Sequence, residues 1–321
     1  MRCRLWIGLA ASLLLLLTGC GSGIPGAVPS VSGAFVMPTP TKPSGAGIMG
    51  PQDCRARGGD QITIMKCTTG YIEQMFAQAY EPVVTERGFK WVPPTIVYSE
   101  TSADTACGKL SHPSYCPADQ TLVMPLNSMT KLGDRAANFL LPLYGQWDQL
   151  GLSPYASVPK ASLETSDGTY GAIAAFAHEY AHHVQNLVGG EDRISALEKA
   201  YPSSKAMYSS AIELHADCMA GWASNVTDID GVSVQDAWRV LTMLMEMGDD
   251  FDAVTTGKPA NRSAFKHGSI TERYESFRSG FNMADTNGEP WSECESVVTK
   301  TLAARRAGLA GSASPTPTTS R

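Results

Sequence analysis

Two histidines four residues apart, with a glutamate directly after the first, occur in "FAHEYAHHVQNLVGG", which runs from Phe176 to Gly190. On a helix, four residues advance about 400°, so His178 and His182 leave the same face one turn apart. That spacing lets two imidazole nitrogens reach one ion at about 2.0–2.1 Å. Glu179 lies about 100° round from His178, too offset for an ideal ligand but close enough to address a water at the metal. The arrangement is the H-E-x-x-H pattern of zinc hydrolases. The preceding "YGAIAAFA" is apolar and small, as a buried helix requires. Unpaired polar groups in such a helix cost several kcal/mol, so two histidines and a glutamate there need a common partner.

A catalytic zinc takes a third protein ligand and keeps one position open for water. Four histidines lie outside the pair: His112, His183, His215 and His267. A third histidine six residues after His182 is ruled out, because Val188 stands there and Gln185 occupies the glycine position of that longer pattern. The stretch "AIELHADCMAG" (211–221) offers a better ligand. Glu213 and Asp217 are four apart on a second expected helix and share a face. Glu213 completes a His, His, Glu set for one zinc ion per chain. Asp217 can accept a hydrogen bond from the far nitrogen of a liganding histidine and fix its tautomer. His215 points about 200° away from Glu213 and reads as a surface or internally satisfied histidine. His183, about 100° off the ligand face, reads as a supporting residue.

With such a site, Glu179 is the expected general base of a hydrolytic reaction. A second group must stabilise the oxyanion besides the metal. His267, in "FKHGS", is the candidate, with Tyr180 and Arg273 as alternatives; Arg273 also reads as an ion-pair residue.

The segments "AHEYAHHVQN" and "ELHADCMAGWA" together resemble the bacterial neutral zinc metallopeptidase family. The resemblance extends to "ACGKLSHPSYCPADQTLVM" (106–124), "MGDDFD" (247–252) and "KHGSITERYESFRSGF" (266–281), in the same order, and covers about residues 70–295. It implies a zincin-like peptidase of the Glu-zinc type, with a peptide or protein substrate and thermolysin as a distant mechanistic relative. His215 departs from the resemblance, since a glutamine is usual there. The same chemistry would serve an amidase acting on a cell-wall linkage. A non-catalytic envelope protein stabilised by zinc is a third reading, which leaves Glu179 without a purpose.

The elements that must position these residues are readable from periodicity. Helices are expected over 68–88, 134–151, 169–188, 204–226, 233–248 and 269–280. Short strands are expected over 94–100 and 120–126, with a loop between them closed by a Cys107–Cys116 bridge. Many helices with a small sheet beside the active-site helix give an α+β class.

The chain has 321 residues and a formal net charge of −6, with no basic patch for a nucleic-acid partner. Arg2 and Arg4 precede the apolar run "LWIGLAASLLLLL", which ends in "LTGC" at Cys20. Residues 1–19 therefore read as a lipoprotein signal peptide and Cys20 as the lipidated residue, which carries acyl chains such as palmitate. Residues 20–53, rich in Gly, Pro and Ser, read as a tether, and 303–321 as a disordered tail. The folded body is expected over 54–302. It would stand on the extracytoplasmic side of a bacterial envelope membrane, held by its lipid. Six cysteines remain in an exported body, an even number that implies disulfides, although connectivity does not follow from sequence. Cys218–Cys294 and Cys54–Cys67 are the expected partners of the remaining four. Oligomeric state is not readable.

Overall fold

The computed structural model describes residues 51–135, 168–227, 244, 246–256, 260–283 and 289–312. The chain enters through α1 (Pro51–Arg57) and the long α2 (Gln61–Glu86). Helix α2 starts seven residues before the expected position because Asp60 caps it, its carboxylate accepting from the Thr63 N–H at 2.7 Å. Cys54 of α1 is bonded to Cys67 of α2.

The sheet follows. Strands β1 (Thr95–Ser99) and β5 (Thr121–Pro125) run parallel, and β4 (Ser114–Cys116) adds antiparallel to β5, giving the order β1-β5-β4. Every residue of β5 is buried, as expected of a central strand. The segment expected as a loop is more ordered than its composition suggests. It folds as a hairpin of β2 (Ala103–Thr105) and β3 (Gly108–Leu110) and then as β4, closed by the Cys107–Cys116 bond. Short polar strands of this kind lack the apolar alternation that marks a strand in sequence.

Helix α3 (Leu126–Arg135) leads out of the sheet, and the helices expected over 134–151 and 233–248 lie mostly outside the described residues. The core is organised around α4 (Gly168–Leu187). Ala172 to Ala177 are all buried, and the small side chains let neighbouring helices approach closely. Phe176 and Tyr180 meet Phe76 and Tyr80 of α2 in an aromatic cluster with ring centroids 5.5–6.3 Å apart. Helix α5 (Gly190–Ala200) turns back to α6 (Lys205–Val226).

Among the described residues the chain continues through the short α7 (Phe251–Thr256), α8 (Ile270–Met283) and α9 (Pro290–Ser312). Helices α6 and α8 cross on glycines. A Cβ at Gly280 would stand 1.8 Å from the Cys218 carbonyl oxygen, and one at Gly221 would stand 2.1 Å from that of Phe277. The Cys218–Cys294 disulfide ties α6 to α9.

Two expected boundaries move. The tether expected through residue 53 gives way at Pro51, where α1 begins. The disordered tail expected from residue 303 does not begin there, since α9 continues to Ser312. "AARRAG" looks like low complexity, but alanine and arginine are strong helix formers. Arg305 also anchors the turn, its buried guanidinium donating to Glu272 at 2.6 and 2.8 Å and to the Ser210 hydroxyl at 2.8 Å. The architecture is mostly helical α+β with a small sheet, as the pattern of elements implied.

Candidate metal centre

Helices α4 and α6 pack side by side and turn three ligand atoms toward one point. His178 Nε2 lies 3.1 Å from His182 Nε2 and 3.0 Å from Glu213 Oε2, and His182 Nε2 lies 3.6 Å from the same oxygen. Ligand atoms bonded at about 2.0–2.1 Å in a tetrahedron stand roughly 3.3 Å apart, so the three separations suit one zinc ion. Among the described residues, these three form the group of histidine, cysteine and carboxylate donors able to share an ion. The donor set, two imidazoles and a carboxylate, also suits zinc chemically.

Each imidazole is held from behind. The Asp217 carboxylate accepts from His178 Nδ1 at 2.8 Å. Arg273 of α8 fixes that carboxylate in turn, donating from Nε at 2.9 Å and from Nη2 at 2.8 Å. Arg273 and Asp217 are both fully buried, a pair of opposite charges satisfied by a two-pronged contact. Gln185, one turn after His182, stands with Oε1 2.7 Å from His182 Nδ1.

The electrostatics favour a cation at the meeting point. Burial alone would hold His178 neutral, but Asp217 and then Glu213 outweigh it and raise the imidazole pKa. Burial would likewise raise Glu213, yet His182 and His178 pull its carboxyl well below the ordinary range.

The centre opens into a cleft of about 640 Å³, lined among others by Tyr115, Glu179, Glu198, His267 and Arg273. Glu179 faces this space beside the ligand atoms rather than among them. His267 sits on the cleft wall, half exposed, with Nδ1 3.1 Å from Asp249 Oδ1. The other oxygen of Asp249 accepts the backbone N–H groups of His267 and Gly268 at 2.6 and 3.0 Å. The Asp249 hydrogen bond raises the His267 pKa against partial burial.

The alternatives for oxyanion stabilisation separate. Tyr180 is absent from the cleft lining; its ring is fully buried in the aromatic cluster with α2. Arg273 borders the cleft, but its guanidinium is committed to Asp217 and to the Met247 carbonyl at 3.2 Å. His183 is a buried structural residue. Its Nε2 donates to the Val92 carbonyl at 2.7 Å, and burial lowers its pKa to about 4. His215 is satisfied but not on the surface: it is buried, its ring tilted against that of Trp291 with centroids 4.4 Å apart, and burial lowers its pKa to about 4. Sequence reasoning gave Gln185 and Asp249 no role in the site. Gln185 stands i,i+3 from His182, a spacing that allows contact but is too common on helices to mark a partner by itself. Asp249 lies eighteen residues from His267, and no local spacing links them.

Comparison with known proteins follows the same lines. A sequence model of the family described as "Putative neutral zinc metallopeptidase" matches residues 150–296. The uncharacterized protein YpfJ of Escherichia coli (strain K12) is 26% identical over 218 residues, covering 66% of this chain. The match spans 65% of that relative's own length, just under two thirds. The uncharacterized protein Rv2575 of Mycobacterium tuberculosis (strain H37Rv) is 26% identical over 271 residues, covering 76% of this chain and 80% of the relative. No solved structure matches the chain. His178, Glu179, His182, Glu213, Asp217, His267 and Arg273 all fall inside the segment that matches the zinc metallopeptidase family.

Proposed function

We propose that the chain belongs to that family and is a zinc-dependent metallopeptidase. His178, His182 and Glu213 hold the ion. The observation that carries this reading is the convergence of these three donors in a cleft that also contains Glu179. Zinc held there would supply Lewis acidity for a peptide carbonyl and for a water, whose pKa would fall towards about 7. Glu179 takes the proton of the attacking water on its carboxylate and returns it to the leaving amine. His267, oriented by Asp249, donates a hydrogen bond to the oxygen that gains charge. Asp217 and Arg273 keep the His178 ring in place while this happens.

The test is hydrolysis of a peptide library by the purified body, with chelator and zinc re-addition. Cleavage that is lost with chelator and restored by zinc supports the proposal. Cleavage of muropeptides alone would move the activity to a cell-wall amidase, and cleavage of neither would leave a zinc-stabilised binding protein.

The proposed location is the extracytoplasmic face of a bacterial membrane, through lipid on Cys20. No helix among the described residues is long and apolar enough to cross a membrane. Cys20→Ser should move the protein from the membrane fraction to the soluble one; unchanged membrane association would reject the anchor.

A further inference from the structure

The support behind His182 differs from the one behind His178. Asp217 is a carboxylate and can only accept, so it orients His178 by charge. Gln185 is an amide with one accepting end and one donating end, and its orientation must itself be decided. Gln185 is buried. Its Nε2 lies 2.9 Å from the Ile212 carbonyl oxygen, an atom that can only accept. The NH₂ end therefore faces Ile212, and the oxygen end faces His182. An amide oxygen cannot donate, so the hydrogen between Gln185 Oε1 and His182 Nδ1 belongs to the imidazole. A neutral ring with its hydrogen on Nδ1 has its lone pair on Nε2, the atom turned toward Glu213 and His178.

The second N–H of the amide has a partner too. His215 Nδ1 stands 3.1 Å from Gln185 Nε2. Accepting there puts the His215 hydrogen on Nε2, 3.3 Å from the Trp291 carbonyl oxygen, again an atom that only accepts. The chain from His182 through Gln185 to His215 thus ends on two main-chain carbonyls, and every hydrogen has one consistent place.

We propose that Gln185 is the positioning residue for the second histidine ligand, and that His215 holds the Gln185 amide in the orientation that leaves His182 Nε2 bare. The inference rests on the zinc reading above. Neither residue touches the ion; both act through the tautomer and ring angle of His182.

The test measures zinc affinity by chelator competition and the ligand-field spectrum of the cobalt-loaded protein. Variants are Gln185→Met, close in volume but unable to hold the amide contacts, His215→Phe, which keeps a ring without the acceptor, and His215→Asn, whose side-chain oxygen restores it. Gln185→Met should weaken zinc by about 10–100-fold and shift the cobalt bands. His215→Phe should weaken it in the same direction, and His215→Asn should recover most of the loss. A structural role alone would lower the unfolding temperature of the metal-free protein without a cobalt shift or an asparagine rescue. Zinc affinity of Gln185→Met within about twofold of wild type, with unchanged cobalt bands, overturns the assignment. If Gln185→Met does not fold, the His215 pair decides: equal affinities for Phe and Asn reject it. Wild-type protein that binds no zinc would instead sink the metal reading on which it stands.

Discussion

At Glu213, one carboxylate faces two imidazoles and remains partly open to the cleft. As the proposed third ligand, Glu213 should make Glu213→Ala more damaging than any change in the supporting residues. The expected loss of zinc affinity exceeds the roughly 10–100-fold typical of outer partners, read as metal content after dialysis against a mild chelator. Undiminished zinc content would remove Glu213 from the site. His267 should behave differently. His267→Ala is expected to keep its zinc and to lose about 10²–10³ in kcat, the magnitude of a missing oxyanion donor. The bond to Asp249 raises the folded pKa of His267, so it stabilises the protonated ring. That contribution is complete below the ordinary value of about 6.5 and disappears as pH rises through the folded value. An NMR titration of Asp249→Asn should show the His267 midpoint falling, and an unmoved midpoint would deny the coupling. The residues readable in sequence were those linked by helical spacing: His178 with His182, and Glu213 with Asp217. Gln185 escaped because a glutamine one turn from a histidine is common on any helix. Asp249 and the pairing of Arg273 with Asp217 escaped because those partners come from separate elements.

Among the elements, the crossing of α6 and α8 brings Arg273 behind the site formed by α4 and α6. Arg273 reaches Asp217 only because two glycines allow the backbones to approach. Gly280→Ala puts a methyl group into the Cys218 carbonyl and must push the helices apart. The expected cost is at least about 1–3 kcal/mol, measured by denaturant unfolding of the metal-free protein, with weaker zinc binding alongside. A variant of wild-type stability would show that the crossing is looser than described. Periodicity located the centres of the helices that carry the site, since apolar faces recur at helical spacing. It did not locate their ends. Asp60 extends α2 backward by capping it, and α9, where no helix was expected, runs past the expected boundary at residue 302 with Arg305 in a buried ion pair with Glu272. Both effects depend on a few polar contacts, which an apolar pattern does not register.

For the molecule as a whole, the α+β class was readable because long amphipathic helices and two apolar strands leave few alternatives. The hairpin of β2 and β3 was not, because its short polar strands are held by a disulfide and a neighbouring sheet rather than by burial. The Cys218–Cys294 bond joins the helix that carries Glu213, Asp217 and His215 to the helix of Trp291 in one covalently tied unit. In the proposed mechanism this unit supports the metal site beside Glu179, and the general-base role proposed for Glu179 is the central claim. The most direct measurement compares wild type with Glu179→Gln for zinc stoichiometry and peptide cleavage together. One zinc per chain in both, with cleavage reduced at least about 10²–10⁴-fold in the variant, is the result predicted here. Cleavage by Glu179→Gln at the wild-type rate, with zinc bound, would contradict it.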